Sequence, residues 1–391
     1  MKKTKVKSLI KQIRGVSYKP EDLHNELDDN SVILLRSNNI DDGKINFDDV
    51  VYVDKSKVST EQYLKLGDVL ICASSGSKNL VGKAASVRFD KECTFGAFCK
   101  VVRPNEGYEE YLGVYFQSPI YRRKISEVAI GANINNIRNE HIDELDVPLF
   151  SIDEQSVIVK KIQLIQDIIV NRKDELAKLD DLIKARFVEL FGDPVMNEKG
   201  WPTKPLLDMG QCKNGMNFHY DDEGVEINCL GVGDFKDFSS IDKTDELPTV
   251  SLNEMPSEEY LLKDDDIVFV RSNGNKALVG RSLAVYPGDV PTTFSGFCIR
   301  YRKHDNEIIV PYLLRVLKAD SMRMKMAGRG ANIQNLNQQI LGTLIIPVPP
   351  IELQKQFSDF VKQLDKSKVV VQKALEETQL LFDSLMQEYF G

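Results

Sequence analysis

The chain of 391 residues is poor in the residues that build metal and redox sites. None of its six cysteines (Cys72, Cys93, Cys99, Cys212, Cys229, Cys298) forms a C-x-x-C pair, and its four histidines (His24, His141, His219, His304) are far apart. That spacing excludes the common zinc frameworks and reads as reduced, buried thiols. No apolar run approaches the ~20 residues that cross a bilayer, so no membrane contact is expected. The basic start, MKKTKVKSLIKQIRG, lacks the apolar segment of a secretory signal, and a cytoplasmic chain is expected. Gly and Pro are not enriched and no low-complexity tract occurs, so disorder is not the default.

Catalytic motifs are missing as well. The stretch Gly76 to Lys83 has one residue too many between its glycines for a P-loop and ends in Lys83-Ala84. Gly231-Val232-Gly233 lacks the third glycine of a dinucleotide fingerprint, since position 236 is Lys. The amino-methyltransferase tetrapeptides N-P-P-[YF] and D-P-P-[YF], G-x-S-x-G and H-E-x-x-H are absent, and no acid-x-acid-Lys nuclease core stands out in a strand context. Neither a catalytic residue, a metal site nor a cofactor is therefore expected in this chain.

What remains is an ordinary globular composition, 42% apolar and 28% charged, with a net charge of −8. The acidic total argues against nucleic acid, which needs clustered Lys and Arg. Binding depends on local patches, however, and the acids gather in runs such as 221–223 and 264–266.

The most informative feature is an internal duplication with an offset close to 199 residues. Ser-Gly-Ser-Lys-Asn-Leu-Val-Gly-Lys at 75–83 matches Asn-Gly-Asn-Lys-Ala-Leu-Val-Gly-Arg at 273–281. Thr94-Phe95-Gly96-Ala97-Phe98-Cys99 matches Thr293-Phe294-Ser295-Gly296-Phe297-Cys298, and GANINNI at 131–137 matches GANIQNL at 330–336. Pro148, Gln155 and Phe191-Gly192 fall on Pro347, Gln354 and Phe390-Gly391. Such a period is too long for a solenoid; a whole domain and an accessory element have been copied once.

Each half repeats one plan. Strand-like stretches come first: Ser31–Leu35, Asp68–Ala73 and Phe98–Arg103, then Asp266–Arg271 and Phe297–Tyr301 in the copy. A helical stretch is predicted over Tyr111–Val128, with Pro311–Met326 opposite. A long helix closes each half. The first starts at a capping box, Ser151 with Glu154, and stops at Gly192 before Pro194. Its residues Ile158, Ile162, Ile165, Ile169, Leu176, Leu179, Ile183 and Leu190 step by four and three, the pattern of a coiled-coil seam interrupted by Arg172 and Arg186. The second helix, after Pro349-Pro350, carries the same stripe in Phe357, Val361, Leu364, Val371, Leu375, Phe382, Leu385 and Tyr389, with Lys368 and Thr378 as exceptions.

Two identical stripes bury each other most simply. A pseudo-two-fold relation between the halves then makes the helices antiparallel. The expected fold is mixed α/β (α+β): two duplicated domains, 1–150 and 193–349, joined by long helices over 151–192 and 350–391. The other arrangement has each helix folding back on its own domain.

The repeated loops carry donor types that suit DNA. Loop one offers Ser74, Ser75, Ser77, Lys78, Asn79 and Lys83; its copy offers Arg271, Ser272, Asn273, Asn275, Lys276 and Arg281. Arg and Lys reach guanine O6 and N7, Asn grips adenine, and Ser serves base or phosphate. Gly76 and Gly274 would let the backbone approach a ligand. A polar hairpin tip explains one such loop equally well; its occurrence in both halves favours binding. The basic clusters Arg122-Arg123-Lys124, Arg300 to Lys303 and Arg315 to Arg329 are open to two readings, phosphate contacts or solvated surface. The amides Asn133, Asn135, Asn136, Asn332, Gln334 and Asn335 tie a buried turn or meet DNA or a partner.

In their order and duplication these motifs resemble the specificity subunit of type I restriction-modification systems. The carriers are GANINNI and GANIQNL, Ile346-Pro347-Val348-Pro349-Pro350 with Gln354, Phe191-Gly192-Asp193-Pro194, and Lys199-Gly200-Trp201. The resemblance covers nearly the whole chain and implies two target recognition domains, each reading one part of a split, asymmetric double-stranded DNA site. It implies an antiparallel coiled coil as their spacer, with two methyltransferase subunits and two restriction (motor-nuclease) subunits as partners. S-adenosylmethionine, ATP and Mg²⁺ then belong to those partners. The chain departs from the pattern at its N-terminal edge, which has no counterpart of Trp201, and at Pro148-Leu149-Phe150-Ser151, which replaces Pro347-Val348-Pro349-Pro350. A protein-binding scaffold built on the coiled coil is the alternative.

Overall fold

The computed structural model describes residues 2–41, 43–77, 79–128, 135–218, 224–235, 240–327 and 335–391. It divides into two compact units, Met1–Asp174 with Gln372–Gly391, and Glu175–Val371. Each holds one globular half with part of both long helices.

The first unit is built on an antiparallel sheet in the order Ala84–Ser86, Val69–Cys72, Cys99–Pro104, Ile10–Arg14. Its central strand Val69–Cys72 is fully buried, as the apolar run Val69-Leu70-Ile71-Cys72 requires, and its neighbour Cys99–Pro104 is buried at all positions but Arg103. A second sheet orders Cys93–Phe95, Ser31–Leu35, Val51–Asp54 and Leu23–His24. Within it, Cys93–Phe95 runs parallel to Ser31–Leu35. The second unit repeats this plan. Gly210–Asn214, Cys298–Lys303, Asp266–Val270 and Ser282–Val285 lie side by side, with Ser240–Ile241 added at the edge. Thr292–Phe294 again runs parallel to its partner, Val225–Leu230. The expected strands are present with edges shifted by one or two residues. The parallel pairings were not legible, because periodicity does not report which distant strand is the neighbour.

Both N-terminal edges also match. Lys3–Lys5 pairs with Asp146–Pro148 as Thr203–Pro205 pairs with Ile345–Pro347. The first half therefore keeps this strand without Trp201, whose indole N–H donates to the Phe191 carbonyl at 3.1 Å. Above each pairing a buried tyrosine closes the same bond: Tyr111 to the Pro148 carbonyl at 2.8 Å and Tyr312 to that of Pro347 at 3.0 Å.

The expected mid-domain helix is two helices in each half. Glu109–Tyr115 is followed by Pro119–Val128, and Val310–Lys318 by Asp320–Ala327. Pro119 has no N–H to continue the first, and disfavours helical backbone at Ser118. Ala319, at ψ 140°, breaks the second.

The long helices span Ile152–Phe191 and Ile351–Phe390. The first starts as the capping box predicts: Glu154 accepts from the Ser151 backbone N–H at 2.8 Å and from its hydroxyl at 2.7 Å. The replacement at Pro148–Ser151 thus leaves a well-defined start. Gly192 closes the helix at φ +75°.

The seam is inward-facing throughout. Ile158, Ile162, Ile165, Ile169, Ile183, Phe357 and Val371 are buried, and Leu176, Leu179, Val361, Leu364, Leu375, Phe382 and Leu385 are half-buried. In the first unit Ile158 and Ile162 share a core with Met386, Phe390 and the domain's Tyr111 and Tyr115. In the second, Ile183, Phe187 and Phe191 share a core with Phe357 and Tyr312. Both domain cores are therefore completed by both helices, which corrects the picture of helices folding back on one domain alone. Lys368, which interrupts the seam, forms an ion pair with Asp180.

One buried ion pair recurs. Arg103 grips Asp68 with bonds of 2.8 and 2.7 Å, and Arg302 grips Asp266 with two of 2.7 Å. The carboxylates are 1% and 0% exposed and each also accepts a backbone N–H, from Lys65 and Lys263. Removing one partner leaves a charge desolvated without compensation, at a cost of roughly 3–5 kcal/mol. Asp266→Ala should therefore lower unfolding free energy by about 3 kcal/mol or more. The pair Asp266→Leu with Arg302→Met should recover most of that. Chemical denaturation checks both; equal losses in the single and double variants would contradict the account.

Candidate nucleic-acid interface

The duplicated motifs, distant in sequence, meet in space. Strand Val69–Cys72 runs out into Ser74–Ser75, which pairs with Asn135–Asn136 at the end of the GANINNI segment. Ile137 donates its N–H to the Ala73 carbonyl at 2.8 Å. In the second half Leu336 donates to the Arg271 carbonyl, also at 2.8 Å. The third motif joins through its turn. The Phe98 carbonyl accepts from Ala73 and Ser74 at 2.9 and 3.0 Å, and the Phe297 carbonyl from Arg271 and Ser272 at 2.7 and 3.4 Å. One surface in each half thus gathers the loop, the TF-x-x-FC turn and the amide segment. Residues 129–134 and 328–334, which include Asn133, Asn332, Gln334 and Arg329, lie outside the described residues, as does Lys78.

Each loop is held from behind. Gly82 and Gly280 take φ +81° and +77° and donate to the Cys72 and Val270 carbonyls, both at 2.8 Å. A side chain at Gly82 would be strained by that backbone and would press within 2.7 Å of Ile125. The Arg122 guanidinium donates to the Val81 and Asn79 carbonyls at 2.6 and 3.0 Å. Arg323 does the same in the copy, to Gly280 and Val279 at 2.9 and 3.2 Å. Gly76 and Gly274 are different: nothing lies within 4 Å of where a Cβ would stand, so their own fold does not demand glycine there.

The basic clusters are thereby sorted. Arg122 and Arg323 are loop supports, and Arg302 belongs to the buried ion pair. Arg300 is 2% exposed and donates to the Glu259 carbonyl at 2.9 Å. Burial also lowers Arg315, and lowers Lys318 to about 8. Arg122, Arg300, Arg302 and Arg323 are thus bonded into the fold, whereas Arg315 and Lys318 are half-buried and Arg123 and Lys325 exposed, distinctions that sequence alone left open. Their spacing in the sequence cannot show which guanidinium points inward.

What the loops present outward is polar. Ser74 and Ser75 are half-exposed and Ser77 exposed, and Lys83 stands 3.8 Å from Asp41. In the copy Arg271, Ser272, Asn273 and Arg281 are half-exposed, and Asn275 and Lys276 exposed. Asn273 accepts the Asn275 N–H at 2.7 Å, and Asn275 accepts that of Ala277 at 3.1 Å. Both amide oxygens thus shape the turn. An adenine grip uses the same oxygen with the amide N–H, so the turn must share that oxygen or release it. Arg271 is partly committed as well, reaching the Gly296 carbonyl at 3.4 Å.

Sequence reasoning passed over one feature of this surface. Phe98 and Phe297 are 69% and 61% exposed, the only exposed aromatics among the described residues. Their duplication inside a Gly-containing turn was the available signal.

The thiols are no part of this surface's chemistry. Five of the six cysteines are buried and Cys212 is half-buried. Burial pushes Cys93, Cys212 and Cys229 up to about 12. Among the described residues no cluster of His, Cys, Asp and Glu could hold a metal ion, and no helix is long and apolar enough to cross a membrane.

The profile of the type I restriction modification DNA specificity domain matches twice, at residues 10–179 and 198–378. The chain is 31% identical to the type I restriction enzyme StySPI specificity subunit of Salmonella potsdam over 98% of its own length and 87% of that protein. It is 30% identical to the EcoKI specificity subunit of Escherichia coli K12 over 70% of its length and 62% of that protein. Among solved structures, the S subunit of a type I restriction-modification system from M. genitalium covers the whole chain at a TM-score of 0.56 and 17% identity, with 96% of that chain aligned. A chain from a study of the assembly and conformational transition of a type I R-M system also covers it, with 97% of that chain aligned, at a TM-score of 0.57 and 15% identity. Those two likenesses concern the fold. Two profile matches spanning most of both halves, and a relative matched over nearly the full length, place the chain in the family of type I restriction-modification DNA specificity subunits.

Proposed function

We propose that residues 1–150 and 193–349 are two target recognition domains, each reading one part of a split, asymmetric DNA site. The carrying observation is the meeting of loop, turn and amide segment on the same backbone bonds in both halves. Ser74, Ser75, Ser77, Lys78 and Lys83 serve one part; Arg271, Ser272, Asn273, Asn275, Lys276 and Arg281 serve the other. The net charge of −8 does not oppose this, because the partners complete the basic cleft.

The long helices, over 151–192 and 350–391, pair as an antiparallel coiled coil under a pseudo-two-fold and set the distance between the readers. Support comes from each unit by itself. Early residues of the first helix (Ile158, Ile162) share a core with late residues of the second (Met386, Phe390), and late ones (Ile183, Phe187) with an early one (Phe357). Two methyltransferase subunits and two restriction subunits then assemble on the chain in the cytoplasm, bringing S-adenosylmethionine, ATP and Mg²⁺. The chain itself supplies selection of the site and no bond-making step.

Lys276→Ala and Arg281→Ala test the loop in the assembled methyltransferase. A phosphate contact, when lost, lowers affinity evenly across sequences and reduces the salt slope by about one; a base contact costs roughly 1–3 kcal/mol at one position. Quantitative binding to matched and mismatched duplexes at several salt concentrations reads the difference. If both variants bind like the parent at every sequence, this loop does not face DNA and the scaffold reading gains.

The helices make a second prediction. Four residues inserted after Asn171 and four after Lys373 add about 6 Å to a rod of paired helices at 1.5 Å per residue. Against about 3.4 Å per base pair, the preferred gap should grow by one or two base pairs with both half-site sequences kept. Mapping of methylated sites checks this; an unchanged gap would mean that other elements set the spacing.

A further inference from the structure

We propose that Phe98 and Phe297 are base-contacting residues, one for each half-site; the assignment rests on the DNA-reading role above. Every other described aromatic is at least half-buried, yet these two rings are 69% and 61% exposed. They occupy the same position in both copies, the second residue of the turns before Cys99 and Cys298. Neither ring completes a core, so its own fold gains little from it.

The backbone under each ring is nonetheless fixed. The Phe98 carbonyl takes two amide bonds and the Phe297 carbonyl takes two, all from the start of the neighbouring loop. The turns are closed by Cys99 on the Gly96 carbonyl and Cys298 on the Ser295 carbonyl, both at 2.8 Å. A large apolar group held out on a rigid turn costs little ordering entropy when it binds. Its backbone carbonyl is bonded to Ser74 in one half and to Arg271 and Ser272 in the other, residues of the donor types that read base edges.

The surroundings favour DNA over a protein partner. Stable protein docking buries contiguous area of several hundred Å² on each side, with an apolar centre. Here a single exposed ring in each half adjoins a polar loop, with Ser74, Ser75 and Ser77 in one and Arg271, Ser272 and Asn273 in the other, a setting that suits apolar contact with a thymine methyl or a wedge between base steps. One ring per half also matches a target of two parts.

The test is binding by the complete methyltransferase complex carrying Phe98→Ala, Phe297→Ala or Phe297→Leu. Each alanine variant should lose about tenfold in affinity for the specific duplex, the scale of one lost base contact. Affinity for non-specific duplex, the salt slope and the melting temperature should stay at parental values, and Phe297→Leu should recover part of the loss. Mismatches in one half-site should lose their effect only in the variant of the domain that reads it. Three results overturn the assignment: unchanged specific affinity, equal loss on specific and non-specific duplex, or failure to assemble with the methyltransferase. If the parental complex binds no DNA, the proposed function fails and this assignment with it; if it binds and the variants match it, only the assignment fails.

Discussion

The carbonyls of Ala73 and Arg271 each accept an amide from a residue more than sixty positions along the chain, and the rest of the candidate surface depends on that bond. Ile137 and Leu336 make it, both at 2.8 Å. It brings the amide segment beside the loop while the neighbouring Phe carbonyl brings in the turn. A loop pinned at several backbone groups holds its position on the domain, while its own side chains, such as Asn273 and Asn275, shape the turn at its tip. Arg122 and Arg323 extend this logic by satisfying loop carbonyls from behind.

Charge follows the same division of labour. The sequence is acidic overall, yet several of its arginines face inward, on carboxylates or carbonyls. Desolvating a guanidinium is offset where such acceptors meet it, as Asp266 and the Leu261 carbonyl do for Arg302, while the Nε of Arg300 is buried without an acceptor. Lys83, Lys276 and Arg281 stand on the duplicated loops, Lys276 exposed and the other two half-exposed.

The duplication, the helix start at Ser151 and Glu154, the stop at Gly192 and the inward seam were all legible, because each rests on local chemistry or on spacing along the chain. The break at Pro119 was legible in principle and missed; that at Ala319 leaves no signal in residue type. Parallel pairing of Cys93–Phe95 with Ser31–Leu35 is a long-range choice that periodicity does not encode. The loops were found through their repetition, but the supporting role of Arg122 and Arg323 was not, since an arginine facing carbonyls and one facing solvent read alike. Phe98 and Phe297 were taken for strand residues, since a phenylalanine beside Cys99 or Cys298 fits a buried strand as well as an exposed turn.

The central claim is that each half of the chain chooses its own part of the target. The direct measurement maps methylated sites in DNA treated with the assembled methyltransferase. It compares the parental chain with one in which residues 1–150 are replaced by the matching segment of the Salmonella potsdam relative. The account predicts a two-part motif in which one part changes while the other part and the gap between them persist. A single contiguous motif, or a change in both parts at once, would contradict it.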